Sequence, residues 1–390
     1  MLKSLLLRFS VGPILTALIG FITVPLVAWI FDPSDLGSLA LLQTLISFFI
    51  LFFSFGLDQA YLREFNKSKS EVGLFKNTFY VSLFGVISCL GLFCFLYPKF
   101  LTGLIFEKQG VTLNVIIFVT VTSSLIVRFN LIHFRAKADA TSCNYTMITP
   151  KVIYLLLLLY FMFFIISPSL IYLLFAFTLS LVFSASIAIG INYKLVRQSI
   201  TFPFSWEKIK SYLVYGLPLV LSGLASWSLL AVDRLFIRWF SDLNELGVYA
   251  VATSFASIAA LVTGIINTVL APYLYKLDSE DQLQSVIIDE INENLTLLFL
   301  VIISLFGLFS WVIPHLLPDS YENIERVLIC CVAIPLLYTM GETSSIQINI
   351  VRKTKLIAFS TVAAATINAV LNYFLIPYYG ASGAAAASCI

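Results

Sequence analysis

Charge is scarce in this chain. Only 11% of its 390 residues are charged, against about 25% in an ordinary soluble domain. It therefore lacks the polar material to cover a water-facing surface. Histidine is scarcer still, with two copies, and the six cysteines form no CxxC pair or Cys/His cluster. Five of the cysteines lie in apolar stretches, where Cys acts as a small hydrophobe, and Cys143 falls in a polar connection. The pattern implies no metal site and no disulfide. No Walker A loop, HExxH or supported GxSxG occurs, which argues against ATP-driven transport by this chain alone. A net charge of +2 without a compact basic patch excludes nucleic acid as a partner. No Pro/Gly/Ser-rich linker or charge run divides the chain into soluble domains.

What the chain does have is apolar length. Sixty per cent of residues are hydrophobic, and a membrane-spanning helix needs about 20 largely apolar residues. Eleven such runs are readable: 10–31, 37–57, 78–97, 111–132, 148–166, 169–191, 212–236, 246–270, 295–317, 327–350 and 356–376. A twelfth begins at Gly383 and the sequence stops inside it, so helix 12 reads as truncated. The first run exceeds the h-region of a signal peptide, and no A-x-A-like site follows, so it reads as a retained helix.

Lys and Arg counted on alternate connections fall unevenly. Eighteen of 23, among them Lys151, Arg352 and Lys353, share the side of the N-terminus. That side reads as cytoplasmic. The longest connection, Ala271 to Asn294, is acidic (Asp278, Glu280, Asp281, Asp289, Glu290, Glu293) and reads as an amphipathic cytoplasmic segment. No segment outside the membrane is large enough for a catalytic domain, so the chain reads as a transporter rather than an enzyme.

The two halves echo each other. Gly12-Pro13 opens helix 1, which leaves through Phe31-Asp32-Pro33-Ser34-Asp35-Leu36-Gly37. Leu217-Pro218 opens helix 7, which leaves through Phe240-Ser241-Asp242-Leu243-Asn244-Glu245-Leu246-Gly247. The same offset sets the Ser167-Pro168 turn opposite the turn at Tyr378–Gly383. Six helices separate the copies, so they read as parallel repeats related by an axis along the membrane normal. The expected division is a six-helix lobe at 1–195, a connection at 196–211 and a second lobe at 212–390.

Certain residues at the helix ends carry a family resemblance. In the first half they are Leu36-Gly37 and the run from Gly56 to Phe65 (Gly-Leu-Asp-Gln-Ala-Tyr-Leu-Arg-Glu-Phe). In the second they are Tyr215-Gly216-Leu217-Pro218, Asp233-Arg234, Leu246-Gly247-x-Tyr249 and the stretch from Asn372 through Pro377, Gly380 and Gly383 to Ala385. In order and spacing they resemble the Wzx-type polysaccharide flippases of the multidrug/oligosaccharidyl-lipid/polysaccharide (MOP) exporter superfamily. The resemblance implies an all-α integral membrane fold of 12 helices, in two six-helix lobes around a central cavity, with MATE-like alternating access. It implies a lipid-linked oligosaccharide on undecaprenyl diphosphate as cargo. It also implies a bacterial cytoplasmic membrane setting, with surface-polysaccharide polymerase and chain-length machinery as partners. A multidrug antiporter on the same architecture is the alternative. That would require an acidic cavity, whereas basic residues predominate here.

Ionisable groups inside a membrane are costly and usually face a cavity. Glu342 lies about 15 residues into helix 10 and is a candidate for a coupling proton or cation. Asp233, Asp58 and Arg63 are further coupling or gating candidates, Asp58 and Arg63 together with Glu64 as a local network at a helix end. Arg234 and Arg238, four apart, share a helical face, and Arg128 and Arg135 share another, with His133 near. Guanidinium groups suit a diphosphate because each donates paired hydrogen bonds. Asn368 and Asn372 share a face of helix 11 and offer sugar contacts or an interhelical hydrogen bond. No cofactor is expected. The sequence leaves the coupling ion, H+ or Na+, open.

Overall fold

The computed structural model describes residues 2–165, 168–280, 285–321, 324–351 and 353–390, and every regular element among them is helical. Ser167, Asp281 and Arg352, used above for a turn, the acidic segment and the charge count, lie outside the described residues. Eleven helices among the described residues are long and apolar enough to cross a membrane, one for each run expected. They fold into two compact units, residues 1–20 with 38–231 and residues 21–37 with 232–390. The expected lobes follow the repeat and place a boundary at 196–211. The compact units divide differently, the first reaching residue 231.

The first unit holds the start of α1 (Leu2–Ile30), most of α2 (Pro33–Phe53), α3 (Leu57–Glu64), α4 (Glu71–Leu96), α5 (Phe100–Phe106) and α6 (Val111–Ala136). It continues with α7 (Ala140–Phe164), α8 (Leu170–Ile191), α9 (Tyr193–Thr201) and most of α10 (Trp206–Phe240). Without a hydrophobic force between helices in lipid, polar bonds and close packing hold them. Here α8 packs on α6 and α7 and bonds to them at three levels. Thr120 meets Thr178 at 2.8 Å, Ser184 donates to the Thr146 carbonyl at 2.9 Å, and Asn192 donates to Asn130 at 2.7 Å.

One boundary moves with consequences. The polar run before residue 148 reads as a connection, but α7 begins at Ala140. Its polar groups are satisfied by protein rather than water. The Asp139 carboxylate accepts the Ser142 amide at 3.1 Å as an N-cap. Asn144 accepts the Gly12 amide at 3.1 Å and donates to the Arg8 carbonyl at 2.7 Å. Lys151, counted above with that connection, therefore sits inside a spanning helix.

The second unit holds residues 21–37 and the end of α10, followed by α11 (Leu243–Ser279), α12 (Ser285–Phe309), α13 (Val312–Leu316), α14 (Ile324–Ile350) and α15 (Thr354–Cys389). The α14 helix packs on α11, α12 and α15. The first turns of α2 and α11 meet here as a reciprocal pair. A Cβ on Gly37 would collide with the Leu243 carbonyl, and one on Gly247 with the Pro33 carbonyl. Gly37 and Gly247 are the positions that match in the repeat, as are Pro33 and Leu243, so the contact has pseudo-twofold form. Where the sequence implies a turn at 378–383, the helix is broken at one residue, Gly380, with φ 52°. The Glu245 carboxylate accepts the Ala381 amide at 2.7 Å, capping the segment beyond the break.

Candidate functional site

Among the described residues, each unit holds a polar cluster built on a buried aspartate. The second unit's cluster centres on Asp233, near the end of α10 and only 5% exposed. A buried carboxylate is costly unless donors surround it, and four side chains do. Tyr249 of α11 donates its hydroxyl at 2.8 Å, Asn372 of α15 its amide at 2.7 Å, and Ser388 its hydroxyl at 2.5 Å. Asn368 is more distant at 3.5 Å but donates to the Ser388 hydroxyl at 3.0 Å. Ser388 reaches the site because the Gly380 break and the Glu245 cap redirect the last stretch of α15.

The donor set is oxygen-rich. Besides the carboxylate it offers two hydroxyls and two amide oxygens, and the buried Asn372 Oδ1 has no hydrogen-bond partner. Such hard oxygens suit a proton or a monovalent cation rather than a transition metal. Groups of three or more His, Cys, Asp or Glu placed to hold a metal are absent among the described residues. Arg234, half-buried, lies within electrostatic reach of Asp233 and Tyr249. Arg238 follows one turn on and is also half-buried. Glu342 stands apart on α14. Tyr338, one turn earlier, lies beside it, and its neighbour Thr343 donates to Asn292 at 3.0 Å.

The first unit's cluster centres on Asp58, 2% exposed, at the start of α3. Its partner is not the nearby Arg63 but Arg128 of α6. Both Nε at 3.1 Å and Nη2 at 2.6 Å donate to a single carboxylate oxygen, Oδ2. The Arg128 side chain keeps 40% exposure and, with Asp58, Ser54, Gln59 and Ser222, lines a cavity of about 220 Å³. The expected local network of Asp58, Arg63 and Glu64 is thus divided. Arg63 stacks over the Tyr215 ring at 4.2 Å and approaches Glu64 at 3.5 Å.

Arg135 is exposed near Cys143 and shares no partner with Arg128. His133 does not join them either. It is fully buried, with Nδ1 2.7 Å from the Tyr61 hydroxyl and Nε2 3.5 Å from Glu71, which pairs with Lys137 at 2.6 Å. Sequence reasoning missed Ser388 and Tyr249 as partners of Asp233. The Leu246-Gly247-x-Tyr249 motif pointed at the second. Nothing local marks Ser388.

Residues 6–278 match a family model described as polysaccharide biosynthesis protein. An Lsg locus protein of Haemophilus influenzae is 23% identical over 320 residues, covering 79% of this chain and 73% of that protein. The lipid II flippase MurJ in an inward closed conformation superposes with a TM-score of 0.75 at 12% identity, covering 98% of this chain and 84% of that one. An inward-facing multidrug resistance MATE family transporter of the MOP superfamily gives 0.63 at 16% identity, covering 96% and 90%. The fold is therefore that of the MOP transporters, as expected.

Proposed function

The chain belongs to the polysaccharide biosynthesis protein family, and we propose that it flips undecaprenyl-diphosphate-linked oligosaccharides across the bacterial inner membrane for surface polysaccharide synthesis. The observation that carries this reading is Arg128. It is a guanidinium held inside a spanning helix, engaged by only one oxygen of Asp58 and facing a cavity. A phosphate oxygen competes for such donors better than a neutral sugar or an organic cation does. Arg234 and Arg238 supply two further guanidiniums, and the asparagines beside Asp233 supply hydrogen bonds. In this reading the two six-helix lobes, 1–195 and 212–390, alternate access around the cargo, with the N-terminus cytoplasmic. Surface-polysaccharide polymerase and chain-length machinery consume the product. Asp233, with Tyr249, Asn372 and Ser388, is the coupling site for H+ or Na+, and Glu342 is a second candidate for that role.

The test is deletion of the gene in its native host, followed by quantitation of surface polysaccharide and lipid-linked repeat units. Accumulation of intact units in the inner leaflet is expected. Normal polysaccharide with increased sensitivity to cationic dyes would overturn the reading in favour of a multidrug antiporter. The Arg234→Ala, Arg238→Ala double variant is expected to insert normally and export poorly.

A further inference from the structure

An amino group stands near the middle of a helix long and apolar enough to span the membrane. The α7 helix runs 25 residues, Ala140–Phe164, and Lys151 lies eleven residues from its start, about 17 Å along at about 1.5 Å per residue. About 20 Å of helix remains beyond it, so Lys151 is close to the midpoint. Yet its side chain is exposed, and no hydrogen bond or ion pair engages it among the described residues. Charged groups at such depth face water-filled space or a partner, because lipid solvates them poorly.

The helix surface shows which space that is. Tyr145, Val152, Leu156, Tyr160 and Phe163 are large, exposed and spaced at helical intervals, as a lipid-facing stripe is. Lys151 is turned about a third of a circle from the middle of that stripe, at about 100° per residue. It shares its face with Asn144, seven residues earlier, whose side chain is tied to α1 at Gly12 and Arg8. That face is tied to α1 at Asn144 and open further on, where Met162 is 51% exposed, so the accessible ammonium lies beside α1 within the first unit. One turn further on, the Tyr154 hydroxyl is buried without a hydrogen-bond partner. The Lys151 ammonium is positively charged and offers donors and no acceptor, so a ligand that complements it is an anion. The compact ammonium of lysine suits phosphate oxygens as a point charge.

We infer that Lys151 is a phosphate-contacting residue halfway along the transport path, in an aqueous cleft that α7 lines together with α1. The inference rests on the proposed function for the identity of the phosphate as the carrier diphosphate. It rests on geometry alone for the cleft and its charge preference.

The purified full chain in nanodiscs is treated with trinitrobenzenesulfonate, a water-soluble amine reagent, and modification of Lys151 is mapped by mass spectrometry. Inorganic pyrophosphate is present or absent as the probe. Modification slowed at least about fivefold by pyrophosphate is the expected result. No modification at Lys151 would place it in lipid and overturn the inference. Modification that pyrophosphate leaves unchanged would also overturn it, as an aqueous lysine without an anion site. In cells, Lys151→Arg should keep export and Lys151→Gln should lower it at least about tenfold at equal protein level; wild-type export by Lys151→Gln would reject a role in transport. If gene deletion causes no accumulation of lipid-linked units, the cargo assignment fails while the labelling result still decides the anion site.

Discussion

Removing the Asp233 carboxylate is the perturbation with the largest worked consequence. In Asp233→Ala, the buried donors of Asn372 and Tyr249 lose their acceptor, as does the less buried hydroxyl of Ser388. Hydrogen bonds to charged groups contribute about 1.5–3 kcal/mol in water-soluble proteins. Interhelical bonds in membrane bundles average nearer 0.6 kcal/mol, because the unfolded helices find other partners in the bilayer. Three short bonds at the membrane value amount to about 2 kcal/mol, and the cavity left by the carboxylate adds to this. The expected loss is therefore about 2–4 kcal/mol, read as a lowered midpoint in denaturant unfolding of the detergent-solubilised protein. Asp233→Asn keeps the volume but turns an amide N–H2 toward one of the donors, so its loss should fall between wild type and Asp233→Ala. Sodium separates the coupling role from the structural one. A ligand at 100 times its Kd stabilises the native state by about 2.7 kcal/mol, so where Na+ is the coupling ion it should raise the wild-type midpoint and leave that of Asp233→Asn unchanged. An unchanged midpoint for Asp233→Ala refutes the hub. A sodium response that survives in Asp233→Asn refutes cation binding there.

Three further outcomes follow from other contacts. Gly247→Ala drives a methyl into the Pro33 carbonyl, and overpacking of this kind costs about 1–3 kcal/mol. Gly341→Ala meets only open space and should be tolerated, so equal yields of the two variants in size-exclusion chromatography would contradict the close crossing. At the Asp58–Arg128 pair the two deletions should be unequal. Arg128→Ala strands a carboxylate that is 2% exposed, a loss of about 3–5 kcal/mol for a buried unpaired charge. Asp58→Ala leaves a guanidinium that reaches the cavity and costs less, so the order of unfolding midpoints decides. Asp139→Ala should cost about 1 kcal/mol as a lost N-cap. Burial opposes the charge of Asp139, but hydrogen bonds from Ser142 and Thr141, helped by Lys137, outweigh it and hold the carboxyl below the usual carboxylate range. A lowered folded-state pKa stabilises above the unfolded value and is lost as pH falls through the folded value. The wild-type advantage over Asp139→Ala should accordingly be full at neutral pH and shrink on acidification below about pH 4; a constant difference across that range would show that the carboxylate does not cap α7.

Hydropathy made the eleven spans legible because lipid leaves a spanning helix few alternatives to being apolar over its full length. The same rule misleads where polar residues are buried against protein. Asp139, Ser142, Asn144 and Thr146 look like a water-exposed connection, yet each is bonded within the first unit. That error concealed the depth of Lys151. The glycines at helix ends were legible as a pattern and explicable only in three dimensions. Gly37 and Gly247 are small because each first turn crosses the other's backbone, which no local signal states. Ion pairing was the least legible feature. Asp58 has Arg63 five residues away, but a start-of-helix carboxylate points where its helix axis directs it, and that is toward Arg128, 70 residues on. Asp233 gives the complementary case. Its partners Asn368 and Asn372 were visible as a shared face because they lie four apart on one helix, while Ser388 enters only through a backbone break. Periodicity exposes what one helix presents. The chemistry here is assembled from three or four helices, so the residues that complete each cluster are set by packing that periodicity does not encode.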